Sequence, residues 1–209
     1  MKYGLLVKKV HLEGKRYIAA EEIRDACKKI GINYAEGIIY LTRTKHLIRI
    51  MRGFFYVESP KERSTGVLNA NFFDAISKVL EHKEVKWYFG FETAIKLNDL
   101  THEYFPMDYV VSDKLFRPKP VAILGHKVKF IKLKKDLFGF GVSHNKGVNH
   151  SDIEKTILDI VHVRKHKGTD DAAIKNEIGE LLRHANKKKL HGYAKHYSLS
   201  VRDFVRKVA

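Results

Sequence analysis

The chain has 209 residues, enough for one large or two small domains, and 44% of them are hydrophobic, so a real core can form. Lys and Arg outnumber Asp and Glu by 40 to 24, a formal charge of +16 that favours a polyanionic partner. The single cysteine, Cys27, excludes an intramolecular disulfide and a cysteine-based zinc site, and no apolar run approaches the roughly 18 residues that span a bilayer.

The opening segment, MKYGLLVKKVHLEG, has too short an apolar stretch for a secretory signal, so a cytoplasmic location is expected. Lys2 to His11 reads as a helix with Leu5, Leu6 and Val10 facing inward, ended by Gly14. Arg16 to Ala19 reads as a short extended piece. Ala20 to Ile30 has acids in its first turn and lysines in its last, matching the helix dipole. Its buried stripe is Ile23, Cys27 and Ile30, and Gly31 stands where a left-handed cap is expected.

Asn33 then caps a third helix, from Tyr34 to about His46, with Glu36 placed to complete a capping box. The spacing puts Ile38 and Leu41 on the apolar side, with Ala35 and Ile39 beside them. Asn33, Gly37, Tyr40 and Thr44 fall on another side, flanked by Tyr34, Arg43 and Lys45. Gly37 costs roughly 1 kcal/mol relative to Ala in a helix interior, which makes sense if close approach to a DNA groove requires it. After the helix the period changes. Leu47 to Ile50 reads as a strand, Met51-Arg52-Gly53 as a turn and Phe54 to Val57 as a returning strand. A helix followed by a hairpin tipped with Arg-Gly is the second half of a winged helix-turn-helix. Residues 1–60 hold twelve bases against six acids, and within 33–57 four bases stand against Glu36. The expected DNA contacts are Asn33, Tyr34, Gly37, Tyr40, Arg43, Thr44, Lys45, Arg49 and Arg52.

Ser59 to Thr65 is polar and without periodicity, which predicts a linker over 59–67 between a domain at 1–58 and another at 68–209. Leu68 to His82 reads as a helix with Phe72, Ile76, Val79 and Leu80 on one side. The segment from Trp87 to Leu100 turns from aromatic to helical at Glu92. Met107 to Ser112 reads as a strand. Val121 to Leu124 and Lys127 to Leu133 read as a hairpin whose second run carries one basic, solvated face. Leu137 to Val142 adds a short strand. Ser151 to Glu154 forms a second capping box opening a helix through His166. Asp171 to Lys187, Lys188 to Tyr197 and Ser200 to Val208 complete a helical tail. Residues 160–209 carry twelve bases and five acids, read as a solvated basic face with a second nucleic-acid contact as the alternative. The fold class expected is α+β: a winged helix followed by a mixed α/β domain with an antiparallel sheet and a helical tail.

Three segments resemble the AbiEi-type antitoxins of type IV toxin–antitoxin systems and their stand-alone relatives. They are LIRIMRGFFYV at the wing, YFGFETAIKLNDL, and SDIEKTILDIV, in the same order and spacing across residues 15–165. The resemblance implies a repressor of its own operon whose C-terminal domain counteracts a nucleotidyltransferase-like toxin. It places DNA contacts on the helix at 34–45 and on Arg49 and Arg52. Its implied partners are double-stranded DNA, a cognate toxin and a second copy of the chain.

Chemistry-bearing patterns are weak elsewhere. His162 and His166 have ligand spacing, but no Glu follows His162 and Arg164 and Lys165 intervene. Asp152 and Glu154 read as cap residues and Asp159 as a buried acceptor. Glu92 reads as an acid at a helix start. There is no GxGxxG or GxxxxGK[ST] loop and no paired Asp-x-Asp. No cofactor, metal or catalytic residue is therefore expected, and no membrane. A nuclease-like enzyme and a winged-helix protein–protein module stand as the alternatives.

Overall fold

The computed structural model describes residues 2–145 and 147–209. In chain order the elements of the first unit are α1 (Lys2–Leu12), β1 (Tyr17–Ala19), α2 (Ala20–Ile30), α3 (Tyr34–Arg43), β2 (Leu47–Met51), β3 (Phe54–Val57), α4 (Pro60–Thr65) and α5 (Phe72–His82). After them come β4 (Trp87–Phe89), α6 (Phe91–Leu97), β5 (Asp108–Ser112), β6 (Val121–Ile123), β7 (His126–Lys132), a 3-10 turn (Lys135–Phe138), β8 (Val142–Asn145), β9 (Val148–Ser151), α7 (Ile153–His166), α8 (Asp171–His184), α9 (Lys187–Ala194) and α10 (Leu199–Val208). The chain divides into two compact units, residues 1–83 with 123–125, and residues 84–122 with 126–209.

In the first unit, β3 lies between β1 and β2, both antiparallel to it. With α2 and α3 preceding the β2–β3 hairpin, this is the order of a winged helix-turn-helix. Leu6, Ile23, Cys27, Leu41, Leu47 and Phe55 form its core. Leu5 points outward instead and is 55% exposed. The boundaries of α2 match the expected ones, and Gly31 closes it at φ +70°.

The expected linker at 59–67 is not one. Ser59-Pro60-Lys61-Glu62 is a capping box with Pro at the first helical position, and it starts α4. Glu62 is buried, and it accepts the Tyr56 hydroxyl at 2.5 Å and the backbone N–H groups of Ser59 at 2.8 Å and Asn69 at 2.7 Å. Helix α5 belongs with the first unit too. The Tyr17 hydroxyl donates to Asp74 at 2.8 Å, and the Lys83 ammonium at its end donates to the Arg52 carbonyl at 3.3 Å. The first unit therefore ends near residue 83 rather than 58.

The second unit is built on a six-stranded sheet, among the described residues, in the order β6-β7-β5-β4-β9-β8. Its β4–β5 and β8–β9 pairs are antiparallel, whereas β5–β7 and β4–β9 are parallel, so the sheet is mixed. Residues 137–142 do not form the expected strand. A 3-10 turn covers 135–138, and the strand β8 starts at Val142. Helix α7 is the spine of this unit, with Ile157, Leu158, Ile160 and Val161 packed among Ile174, Ile178, Leu190, Val201 and Phe204 of the following helices. Its N-cap is Asp152, which accepts from the Lys155 N–H at 2.8 Å; Ser151 is the last residue of β9. The whole is an α+β fold, and no helix among the described residues is long and apolar enough to cross a membrane.

Candidate nucleic-acid interface

Asn33 shapes the start of α3: its side-chain oxygen accepts the N–H groups of Ala35 at 2.9 Å and Glu36 at 3.4 Å. Glu36 does not reach back to complete the box. Its carboxylate accepts the Tyr3 hydroxyl from α1 at 3.2 Å. The helix ends at Arg43, where Thr44 turns its hydroxyl back to the Tyr40 carbonyl at 2.7 Å and Lys45 takes a left-handed conformation at φ +55°.

The faces of α3 differ from those the spacing suggested. Gly37 is buried with Ile38 and Leu41. A Cβ at Gly37 would stand 2.7 Å from Cys27 Sγ and 3.2 Å from Leu6 Cδ2. The glycine thus lets α1 and α2 close on α3 and faces no external groove. Tyr40 is half-buried and stacks on Tyr3, ring centroids 4.6 Å apart. Tyr34 is half-buried under the Arg24 guanidinium, 4.8 Å from its centroid. Ala35 and Ile39, expected inward, are exposed, Ile39 by 61%. The solvent face of α3 is therefore Ala35, Glu36, Ile39 and Arg43, with Asn33 at one end and Thr44 and Lys45 at the other.

Behind α3 the hairpin is short. Arg52 and Gly53 make its turn, Gly53 at φ +81°. The Gly53 carbonyl accepts from Ala20 N–H at 2.9 Å, which with the Lys83 contact fastens the tip to the body. What the hairpin leaves to solvent is its cations. Arg49 and Arg52 are exposed, and the Arg49 guanidinium lies 5.7 Å from the Phe55 ring centroid. The paired cations of the first unit, among the described residues, are Lys15, Lys78 and His82. Arg43, Lys45, Arg49 and Arg52 have no such carboxylate, and their charge is open to an external anion.

A polar cluster sits at the back of this unit. His11 Nε2 is 3.2 Å from His46 Nδ1 and 3.4 Å from the Arg63 guanidinium, which also donates to the Glu58 carbonyl at 2.7 Å. Burial, and then the Arg63 charge, push both histidines below their ordinary value.

The carboxylates of the second unit are engaged in structure. Asp159 is fully buried, accepting the Tyr197 hydroxyl at 2.6 Å, the Tyr88 hydroxyl at 2.7 Å and the Lys155 ammonium at 3.3 Å. That ammonium is also fully buried and lies 4.9 Å from the ring centroids of both Tyr88 and Phe140. Burial pushes the lysine down and both tyrosines up. Sequence reasoning found Asp159 as a buried acceptor but missed Lys155, whose charge reads as a solvated residue. Glu154 accepts the Asn186 N–H at 2.7 Å and pairs with Lys189 at 3.0 Å. Glu92 faces a cleft of about 510 Å³ with Leu100, Phe105 and Leu181, and burial raises its carboxyl. His162 packs edge-on against Tyr197 while His166 is exposed. Among the described residues no group of three or more His, Cys, Asp or Glu is arranged to hold a metal.

No family model and no curated protein matches the chain. Its fold is similar to that of a crystal structure of the RV2827C protein from Mycobacterium tuberculosis, with a TM-score of 0.62 at 10% identity, over 99% of this chain and 75% of that one. At that identity the likeness concerns the fold alone.

Proposed function

We propose that the chain is a DNA-binding transcriptional regulator of AbiEi-antitoxin type, repressing its own operon in the cytoplasm and neutralising a nucleotidyltransferase-like toxin. The observation that carries this reading is the set of four exposed cations without an ion-pair partner among the described residues: Arg43 on α3, Lys45 in the turn after it, and Arg49 and Arg52 on the hairpin of a winged helix-turn-helix. The net charge of +16 supports it. In this reading Arg43, Lys45, Arg49 and Arg52 hold phosphates, and Ile39 and Thr44 meet base edges. An exposed isoleucine suits the methyl group of thymine. A dimer on an inverted repeat suits a module that contacts few base pairs.

The experiment is binding of the full chain to the duplex upstream of its own reading frame. If the four cations each neutralise a phosphate, log affinity falls against log salt with a slope of about −4 per copy. A toxin partner is tested by co-purification with the product of a neighbouring nucleotidyltransferase-like gene. A protein–protein role for α3 is the second reading. It is favoured by one observation, the apolar Ala35 and Ile39 at the centre of the exposed face. Retention of a partner after nuclease treatment, lost in Ile39→Glu, would select it.

A further inference from the structure

The second unit carries a cationic patch that the regulator reading does not use. Phe116 is 60% exposed. With Lys132, Lys134 and Lys135, and with Asp113 and Asp136 at its edge, it lines an open, shallow cleft of about 670 Å³, in which the lysines outnumber the carboxylates by three to two. The loop that presents it, residues 113–120, reads DKLFRPKP, and its Arg117 and Lys119 are exposed as well. Among the described residues of this unit, Lys155, Lys165 and Lys189 are the lysines in ion pairs. Among the described residues, the three lysines of the cleft make no ion pair, and the Asp113 carboxylate is turned to the Lys86 N–H.

The exposure of Phe116 is not that of a loose loop. The Ser112 hydroxyl accepts the N–H groups of Lys114 and Leu115, each at 3.3 Å. The Asp113 carboxylate accepts Lys86 N–H at 3.0 Å. The Lys114 ammonium donates to the Glu84 carbonyl at 3.2 Å, and the Lys129 ammonium to the Pro118 carbonyl at 2.6 Å. Five hydrogen bonds on both sides of Phe116 fix the loop backbone, so the ring is presented to solvent beside the lysines in a defined place.

We propose that this patch binds single-stranded nucleic acid, Phe116 stacking on an unpaired base while Lys132, Lys134 and Lys135 hold the flanking phosphates. The combination selects the ligand. An acidic peptide satisfies the lysines but leaves the ring face without a flat partner. A duplex satisfies the lysines too, but its base faces are hidden in the stack. A strand with unpaired bases uses both, as in sequence-tolerant single-strand binders. The site is distinct from the α3–hairpin surface and independent of the regulator reading.

The test is fluorescence anisotropy with the full chain and labelled oligouridylate, oligothymidylate and mixed-sequence duplex, each of about twelve units. The wild type binds one or both single strands, and whichever is preferred identifies RNA or DNA as the source. Phe116→Ala weakens single-strand binding about ten-fold and leaves duplex binding within two-fold, whereas Phe116→Tyr keeps it. Lys132→Ala with Lys134→Ala weakens it and flattens its salt dependence. Arg49→Ala with Arg52→Ala leaves it unchanged. Because Phe116 is exposed, its variants should melt at the wild-type temperature, which the same samples check. The proposal is overturned by absent single-strand binding, by a Phe116→Ala variant that binds like wild type or loses duplex and single strand equally, or by loss of single-strand binding in the hairpin variant.

Discussion

Two buried positions decide how tightly the two units hold together internally. Gly37 is one. Alanine is the better helix former by roughly 1 kcal/mol, yet its methyl group would press on Cys27 and Leu6. Overpacking of this kind costs about 1–3 kcal/mol, so Gly37→Ala should lower the urea midpoint despite the gain in propensity. The other is the Lys155–Asp159 pair. Asp159→Ala leaves a buried ammonium with one hydroxyl and aromatic faces, and about 3–5 kcal/mol of stability should be lost. Lys155→Met should cost less, because Asp159 keeps two tyrosine hydroxyls. Equilibrium denaturation of the two variants side by side reads the asymmetry. Asp159 was legible from sequence as a buried acceptor, but neither the packing at Gly37 nor the burial of Lys155 was. Glycine carries no hydrophobic signal, so the apolar spacing of α3 points to a face roughly a fifth of a turn away from the true one. A buried lysine is legible only from the rings around it.

Strong end signals made α2 and the start of α3 legible to the residue, whereas the Ser151–Glu154 box placed the cap of α7 one residue before Asp152. Acids first, lysines last and a terminal glycine fixed α2, and Asn33 fixed the start of α3. The linker expectation failed at α4, because a six-residue helix is too short to show a period; its capping box and proline were the available signal. That turn also makes stability pH-dependent. Burial opposes the Glu62 charge, but the hydrogen bonds from Tyr56, Ser59 and Asn69 outweigh it and hold the carboxyl at about 2. The unfolded chain then binds the proton first as pH falls below the ordinary value of 4.5, so the stabilisation is present above 4.5 and lost towards 2. The histidines act in a higher window. His11 and His46 titrate below 6.5 when folded, so the unfolded chain is again the better proton acceptor. Stability should fall as pH drops through 6.5, with half-buried His162 adding to the same trend. Replacing both His11 and His46 by Gln should flatten the melting temperature between pH 7 and pH 5, and a slope equal to wild type would contradict the assignment.

The α+β architecture was legible, because each unit is made of elements with distinct periods. The direction of the strands was not. β5 and β7 are parallel neighbours separated by β6, and β4 and β9 are parallel neighbours far apart in sequence, pairings that no local pattern encodes. The candidate interface was legible in its cations and not in its helix face. Arg43, Lys45, Arg49 and Arg52 were named from sequence and stand exposed, whereas Ile39 was assigned to the core. Duplex binding is therefore best tested through the cations. Affinity of the full chain should be measured by anisotropy from about 50 to 200 mM salt, for its upstream duplex and a scrambled one, in wild type and in Arg49→Ala with Arg52→Ala. A regulator prefers the upstream duplex, shows a slope of about −4, and in the double variant loses affinity and about half of that slope. Equal affinity for both duplexes, or a double variant indistinguishable from wild type, would contradict the assignment of this surface to DNA.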